Sequence, residues 1–189
     1  MLAHFVLSLD EKPLLCAYTP CKFFLVKREY LKKLSKSEFK DSYEECFPNI
    51  YFADSVPSSL NNLMTDFDLI KEEIVEHLFR LDSFSERFLT MRRSGKSNKD
   101  MALAFKEDSG IDCSPQSNRR DVEVLEREYQ NEIEHRMEKV CCELHTKFQT
   151  YGRQRQKQDR IYFSAGKDGI KEGRVIVIHI GRHIKNGKL

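Results

Sequence analysis

The last thirty residues hold the group of side chains in this sequence best suited to chemistry. Arg160, Tyr162, Arg174, His179, Arg182, His183 and Lys185 fall within them. Histidine moves protons near neutral pH. Arginine and lysine bind phosphate and stabilise a pentacoordinate phosphorane. Together such groups could cleave RNA without a metal or other cofactor. A base activates the 2′-hydroxyl, cations neutralise the phosphate, and an acid protonates the departing 5′-oxygen. The catalytic candidates are His183 and Tyr162 for proton transfer and Arg160 and Arg182 for the phosphate. Arg153, Arg155, Lys157, Arg174, His179 and Lys185 are candidates for nucleic-acid contact. Positions 179 and 183 sit about 13 Å apart on an extended strand, so only one histidine can act at a given phosphate. His183, flanked by Arg182 and Lys185, is the better placed. The same polar face could instead bind a partner without any reaction.

A β-hairpin must position these groups. Residues 160–164 and 174–184 are rich in β-branched and aromatic residues, and the intervening 165–173 holds three glycines and Lys167-Asp168. Side chains alternate across a strand. The pattern predicts Ile161, Phe163, Ile176, Ile178, Ile180 and Ile184 on a core face. It puts Arg160, Tyr162, Ser164, His179 and His183 on the other, so the sheet has one apolar side and one polar side.

Earlier elements are expected as follows. Phe5, Leu7 and Leu9 alternate, and Phe23 to Val26 is a second strand candidate. Tyr30, Leu31, Leu34, Phe39 and Tyr43 recur at helical spacing, and Pro48 ends that run. Residues 49–53 suit a short strand. Ser55-Val56-Pro57 starts a helical pair through 82. Residues 92–120 are polar and read as a poorly ordered insertion. Val122, Leu125, Tyr129, Ile133, Met137, Val140, Leu144 and Phe148 then mark one long helix over 121–149. The expected class is α+β, with helices on a small twisted antiparallel sheet closed by the C-terminal hairpin. Residues 1–48 form an N-terminal extension, and 49–189 form the main domain.

The remaining chemistry is sparser. His135, Glu138, Cys142 and His145 would share a stripe of that long helix, and all are zinc-ligand types. The outer two would stand about 15 Å apart, and no complementary ligand cluster occurs elsewhere. The six cysteines show no CxxC spacing, which suits free thiols in a cytoplasmic chain. No phosphate-cradling glycine loop precedes a helix, and no GxSxG or HExxH occurs. No apolar run is long enough to span a bilayer, so no membrane partner is expected. The first fifteen residues lack a basic n-region, and no secretory signal is expected. Net charge is +2, but residues 147–189 carry eleven Lys/Arg against three Asp/Glu. This separation of charge favours a polyanion at the C-terminal end.

Arg160-Ile-Tyr-Phe163 followed by Arg174-Val-Ile-Val-Ile-His-Ile-Gly-Arg-His-Ile-Lys185 resembles the closing hairpin of the RelE/ParE toxin superfamily. Tyr51-Phe-Ala-Asp-Ser-Val56, followed by Leu60, Leu63, Ile70, Ile74 and Leu78, is similar to its first strand and helix pair. The resemblance covers residues 50–82 and 145–187. It implies a small α+β domain with two helices packed on a twisted sheet. It implies either a ribosome-dependent messenger-RNA endonuclease, as in the RelE-type members, or a gyrase poison, as in the ParE type. An antitoxin would hold either kind inactive. Arg160, Arg174, Arg182, His183 and Lys185 would be the carried-over basic residues. The alternative is a non-catalytic module that binds nucleic acid or an acidic protein through the same basic face.

Overall fold

A computed structural model describes residues 20–149 and 158–184. The expected strand around Phe5, Leu7 and Leu9 lies outside them. Helix α1 spans Pro20–Leu31 and α2 spans Lys36–Ser42. The Ser35 hydroxyl accepts from the Glu38 amide, and the Glu38 carboxylate reaches back to the Ser35 amide. This reciprocal cap satisfies two donors that the first turn leaves open. Strand β1 (Ile50–Phe52) leads into a one-turn helix, α3 (Val56–Ser59), and then the long α4 (Phe67–Arg93), capped by Asp66. Helix α5 (Asn98–Ser109) follows, and Gly110 ends it in the left-handed conformation at φ 74°. The rest is strand β2 (Cys113–Pro115), the short α6 (Arg119–Glu123), and strands β3 (Glu126–Asn131), β4 (Arg136–Cys141), β5 (Leu144–Lys147), β6 (Asp159–Ser164) and β7 (Val175–Arg182).

The α+β class holds. Five strands form one sheet in the order β1-β7-β6-β5-β2, and β3-β4 form a separate two-stranded unit. Strand β1 joins β7 in parallel; the other pairings in the sheet are antiparallel. Three local expectations are corrected. Phe23 to Val26 lies inside α1, because Pro20 opens a helix rather than ending a strand. Residues 92–120 hold α5, whose Met101, Ala102 and Phe105 are buried against the main core. Residues 121–149 are not one helix but α6 and three strands. Ile133 and Met137, the middle of the supposed apolar stripe, are 71% and 61% exposed.

Both faces of the sheet are covered, which also corrects the expected two-sidedness. Ile161, Phe163, Val175, Val177 and Ile180 face Ile70, Ile74, Leu78, Leu81, Phe84 and Phe88 in a core shared with α4. Ile176, Ile178, Ile184 and Tyr162 form a second cluster with Leu125, Val140 and Cys142. The isoleucines of β7 therefore divide between the two faces. The cause is a bulge: Tyr162 pairs with His179, but Phe163 pairs with Val177. The skipped residue, Ile178, lets both Ile178 and His179 point to the second side, and the alternation slips by one.

Helix α3 finishes the free edge of β7 beyond the reach of β1. The Ser55 hydroxyl donates to the Ile178 carbonyl at 2.7 Å, and the Ser59 hydroxyl accepts the Ile180 amide at 2.9 Å. A side chain at position 181 would start 2.8 Å from the Ser59 carbonyl, so Gly181 permits this close approach. Ser59→Ala leaves the buried Ile180 amide without an acceptor and is expected to cost about 1–3 kcal/mol, measured by urea unfolding. A change within experimental error would mean that the hydroxyl does not hold the end of β7. Among the described residues, no helix is long and apolar enough to cross a membrane.

Candidate functional site

An open cleft of 430 Å³ lies where β5, β6 and the end of β7 meet the β2–α6 connection. His145, Lys147, Arg160 and His183 line one side, and Ser114 to Asn118 line the other. The antiparallel register sets His145 opposite Tyr162 and Lys147 opposite Arg160. Arg160, Tyr162, His145 and Lys147 thus share the face away from α4.

His145 is the hinge of this geometry. Its Nδ1 lies 3.4 Å from the Glu143 carbonyl, which can only accept, so Nδ1 carries the proton. Nε2 then accepts, from Arg160 Nη1 at 3.0 Å and from the Ser114 hydroxyl at 3.2 Å. Burial, with the Arg160 charge beside it, pushes the His145 pKa down to about 3. At neutral pH the ring is an uncharged acceptor that orients Arg160. The Arg160 Nε is buried and has no hydrogen-bond partner. Because Nε is closed off, a phosphate oxygen in the cleft would meet the outer guanidinium nitrogens of Arg160 instead. Lys147 is already paired with Asp112 at 2.9 Å, and Asp121 accepts from the Gln116 amide at 2.8 Å.

His183 follows the last residue of β7. Its ring centroid lies 6.5 Å from that of His145. The Ile184 amide donates to the Tyr162 hydroxyl at 3.2 Å, which fixes the backbone just after His183. His183 is only half-buried and belongs to the cleft wall, so it is the histidine there that solvent and a ligand can both reach.

The other expected site residues are dispersed. Tyr162 is fully buried beneath the cleft, and its hydroxyl takes the Ile184 amide. Burial raises its pKa above the ordinary phenol value, opposed by Arg160. That position does not suit proton transfer to a bound ligand, because no face of the ring is open. His179 is 3% exposed, and its Nε2 donates to the Arg182 carbonyl at 3.1 Å. Arg182 is exposed at the strand end but is not among the residues lining the cleft. Arg174 stands at the opposite end of β7, where it donates to the Lys171 carbonyl and lies over the Tyr51 ring. Eight strand residues, about 26 Å, separate it from the cleft end. Arg153, Arg155, Lys157 and Lys185 lie outside the described residues.

His145 escaped the sequence reading except as one of four helical metal ligands. That stripe dissolves once the helix does. His135 sits in the β3–β4 turn, Glu138 pairs with Arg136 and Lys167, and Cys142 is buried. Among the described residues, no group of three or more His, Cys, Asp or Glu could hold a metal ion. The missed signal was period-two burial. Val140, Cys142, Leu144, Thr146 and Phe148 alternate and are all buried.

Three buried histidines make stability acid-sensitive. The pKa of His77 is pushed down to about 3 by burial, that of His145 to about 3, and that of His179 to about 4. Each is depressed below its unfolded value, so its contribution is present at neutral pH. It is lost as pH falls from about 6.5 toward those values. Asp82 and Asp159, raised by burial, oppose the trend in part. Urea unfolding at about pH 5 is expected to take up between roughly one and three protons, so the midpoint falls on acidification. A midpoint that stays level between neutral pH and pH 5 would contradict this.

Comparison of the chain with family models, curated proteins and solved structures finds no match.

Proposed function

We propose that this chain binds RNA in the Arg160–His183 cleft and cleaves it without a metal, as a toxin-like endoribonuclease of a toxin–antitoxin or defence system. The observation that carries the reading is the Arg160 side chain, held by His145 at the wall of a cleft that also presents His183. Arg160 would take a phosphodiester oxygen. His183 would move a proton as the 2′-oxygen attacks phosphorus and the bond to the 5′-oxygen breaks. The products are a 2′,3′-cyclic phosphate and a 5′-hydroxyl. The likeness of the closing hairpin to the RelE/ParE hairpin supports the same reading and suggests a ribosome and an antitoxin as partners.

A second reading has its own support. Among the described residues, only one accessible histidine lies in the cleft, since His145 is a neutral acceptor and His179 is internal. With Lys147 held by Asp112, Arg160 could bind a phosphate without any proton transfer. The first test separates binding from no binding. Fluorescence anisotropy with labelled single-stranded RNA is expected to show salt-dependent affinity, which Arg160→Ala weakens by about tenfold or more. Binding indifferent to salt, or unchanged in Arg160→Ala, would remove the cleft as a phosphate site.

A further inference from the structure

A second cleft, of 520 Å³, opens between the end of α4, the start of α5, β4 and the β6–β7 turn. Most of its charged lining is already matched. Arg93 meets Asp168 at 2.6 Å, Lys139 meets Glu126 at 3.4 Å, and Lys167 meets Glu138. Arg92 is the exception. Among the described residues its side chain makes one hydrogen bond, a long one from Nη2 to Asn98 Oδ1 at 3.4 Å, and its Nε is buried with no partner. Among the described residues, buried side-chain nitrogens or oxygens without a partner occur at two places only, Arg92 Nε and Arg160 Nε. One falls in each cleft. Nε is closed off from the cleft, so an oxyanion would meet the outer Nη edge of Arg92, which has only the long bond to Asn98 to satisfy it.

The two arginines are also physically connected. Arg92 donates to Asn98, and Asn98 Nδ2 donates to Glu143 Oε1 at 2.7 Å. The Glu143 carbonyl accepts from His145 Nδ1, and His145 Nε2 accepts from Arg160. Glu143 thus serves one cleft with its side chain and the other with its backbone. Ser164 lines the Arg92 cleft and Arg160 lines the other. They share a face of β6 four residues apart, a separation of about 13 Å. The spacing between the clefts is set by the sheet and by a hydrogen-bonded chain that passes through the β4–β5 connection at Glu143.

We propose that the Arg92 cleft is a second phosphate site for the same polynucleotide, so that one RNA strand is gripped at both arginines. This rests on the RNA reading of the first cleft. A dinucleotide, with a single phosphodiester, can fill one cleft only, whereas a longer strand reaches both.

The experiment compares a dinucleotide with a dodecanucleotide, binding to wild type, Arg92→Ala, Arg92→Gln and Arg160→Ala, by titration over a range of salt. Arg92→Gln keeps a long polar side chain, and circular dichroism checks each fold. Both Arg92 variants are expected to bind the dodecanucleotide about tenfold or more weakly and to flatten its salt slope by about 0.7. Dinucleotide binding should be unchanged in both. Arg160→Ala should weaken both ligands. Unchanged dodecanucleotide affinity in the Arg92 variants, with Arg160→Ala still impaired, would overturn the second site and leave the first standing. An equal loss for both ligands in the Arg92 variants would make Arg92 part of the first site's scaffold, which also overturns the proposal. If wild type binds neither ligand, the RNA reading falls and takes the second site with it.

Discussion

His183→Ala is expected to lower the rate of RNA cleavage by about 10²–10⁴-fold, the range for a general acid or base. The effect should appear in single-turnover rates at saturating protein, with RNA affinity nearly unchanged. The reasoning is positional. His183 is the accessible histidine of the cleft. Its backbone is held on one side by β7, whose end Ser59 secures, and on the other by the Ile184–Tyr162 bond. The ring can therefore be lost without unfolding its surroundings. Arg160→Ala should fail differently, losing both affinity and rate, because its target is the phosphate itself. Loss of cleavage in Arg160→Ala with His183→Ala unaffected would show that neutralising the phosphate does the chemistry and that no histidine moves the proton.

The second large effect concerns stability. Arg28 of α1 donates to Asp82 of α4 at 2.6 Å, and Asp82 also accepts the Asn49 amide at 2.8 Å. Both side chains are nearly buried. Arg28 further donates to the Cys46 carbonyl and lies over the Phe47 and Phe79 rings. One ion pair thus ties α1, the residue before β1, and α4 together. Asp82→Ala strands the guanidinium and the Asn49 amide and is expected to cost about 3–5 kcal/mol in chemical unfolding. Replacing both partners, as Arg28→Met with Asp82→Leu, should recover the part of that loss due to the stranded guanidinium, while the Asn49 amide still lacks its acceptor. A loss below about 1 kcal/mol in Asp82→Ala would place the pair in the class of solvent-screened surface bridges.

The parts of the fold that were legible in the sequence are those where one local signal had no competitor. The hairpin of β6 and β7 combines β-branched runs with a glycine-rich turn, and the first half of α4 carries an apolar stripe at Ile70, Ile74 and Leu78, although the helix runs on to Arg93, past the expected end at 82. Residues 121–149 misled because Glu, Lys and Arg are good helix formers and the apolar residues chanced to recur at three and four. Propensity is a weak prior, and sheet pairing overrode it. That one error hid three things. It concealed the cover over the second sheet face, so β7 was expected to be polar on one side. It placed His145 on a helix rather than beside Arg160. It also removed Glu143 from its place between the clefts. Arg160 and His183 were legible because their strand was. Tyr162 and His179 were misplaced because strand alternation reports which face a side chain takes and not what lies above it. The bulge at Ile178 left no mark in the residue types.

The most direct measurement is the fate of labelled RNA held with excess wild-type protein in the presence of a chelator, with and without ribosomes. Cleavage is expected in at least one of the two conditions, with 2′,3′-cyclic phosphate ends, and is abolished in Arg160→Ala. RNA that stays intact in both conditions, while still binding to the protein, would contradict the enzyme and leave a binding module in its place.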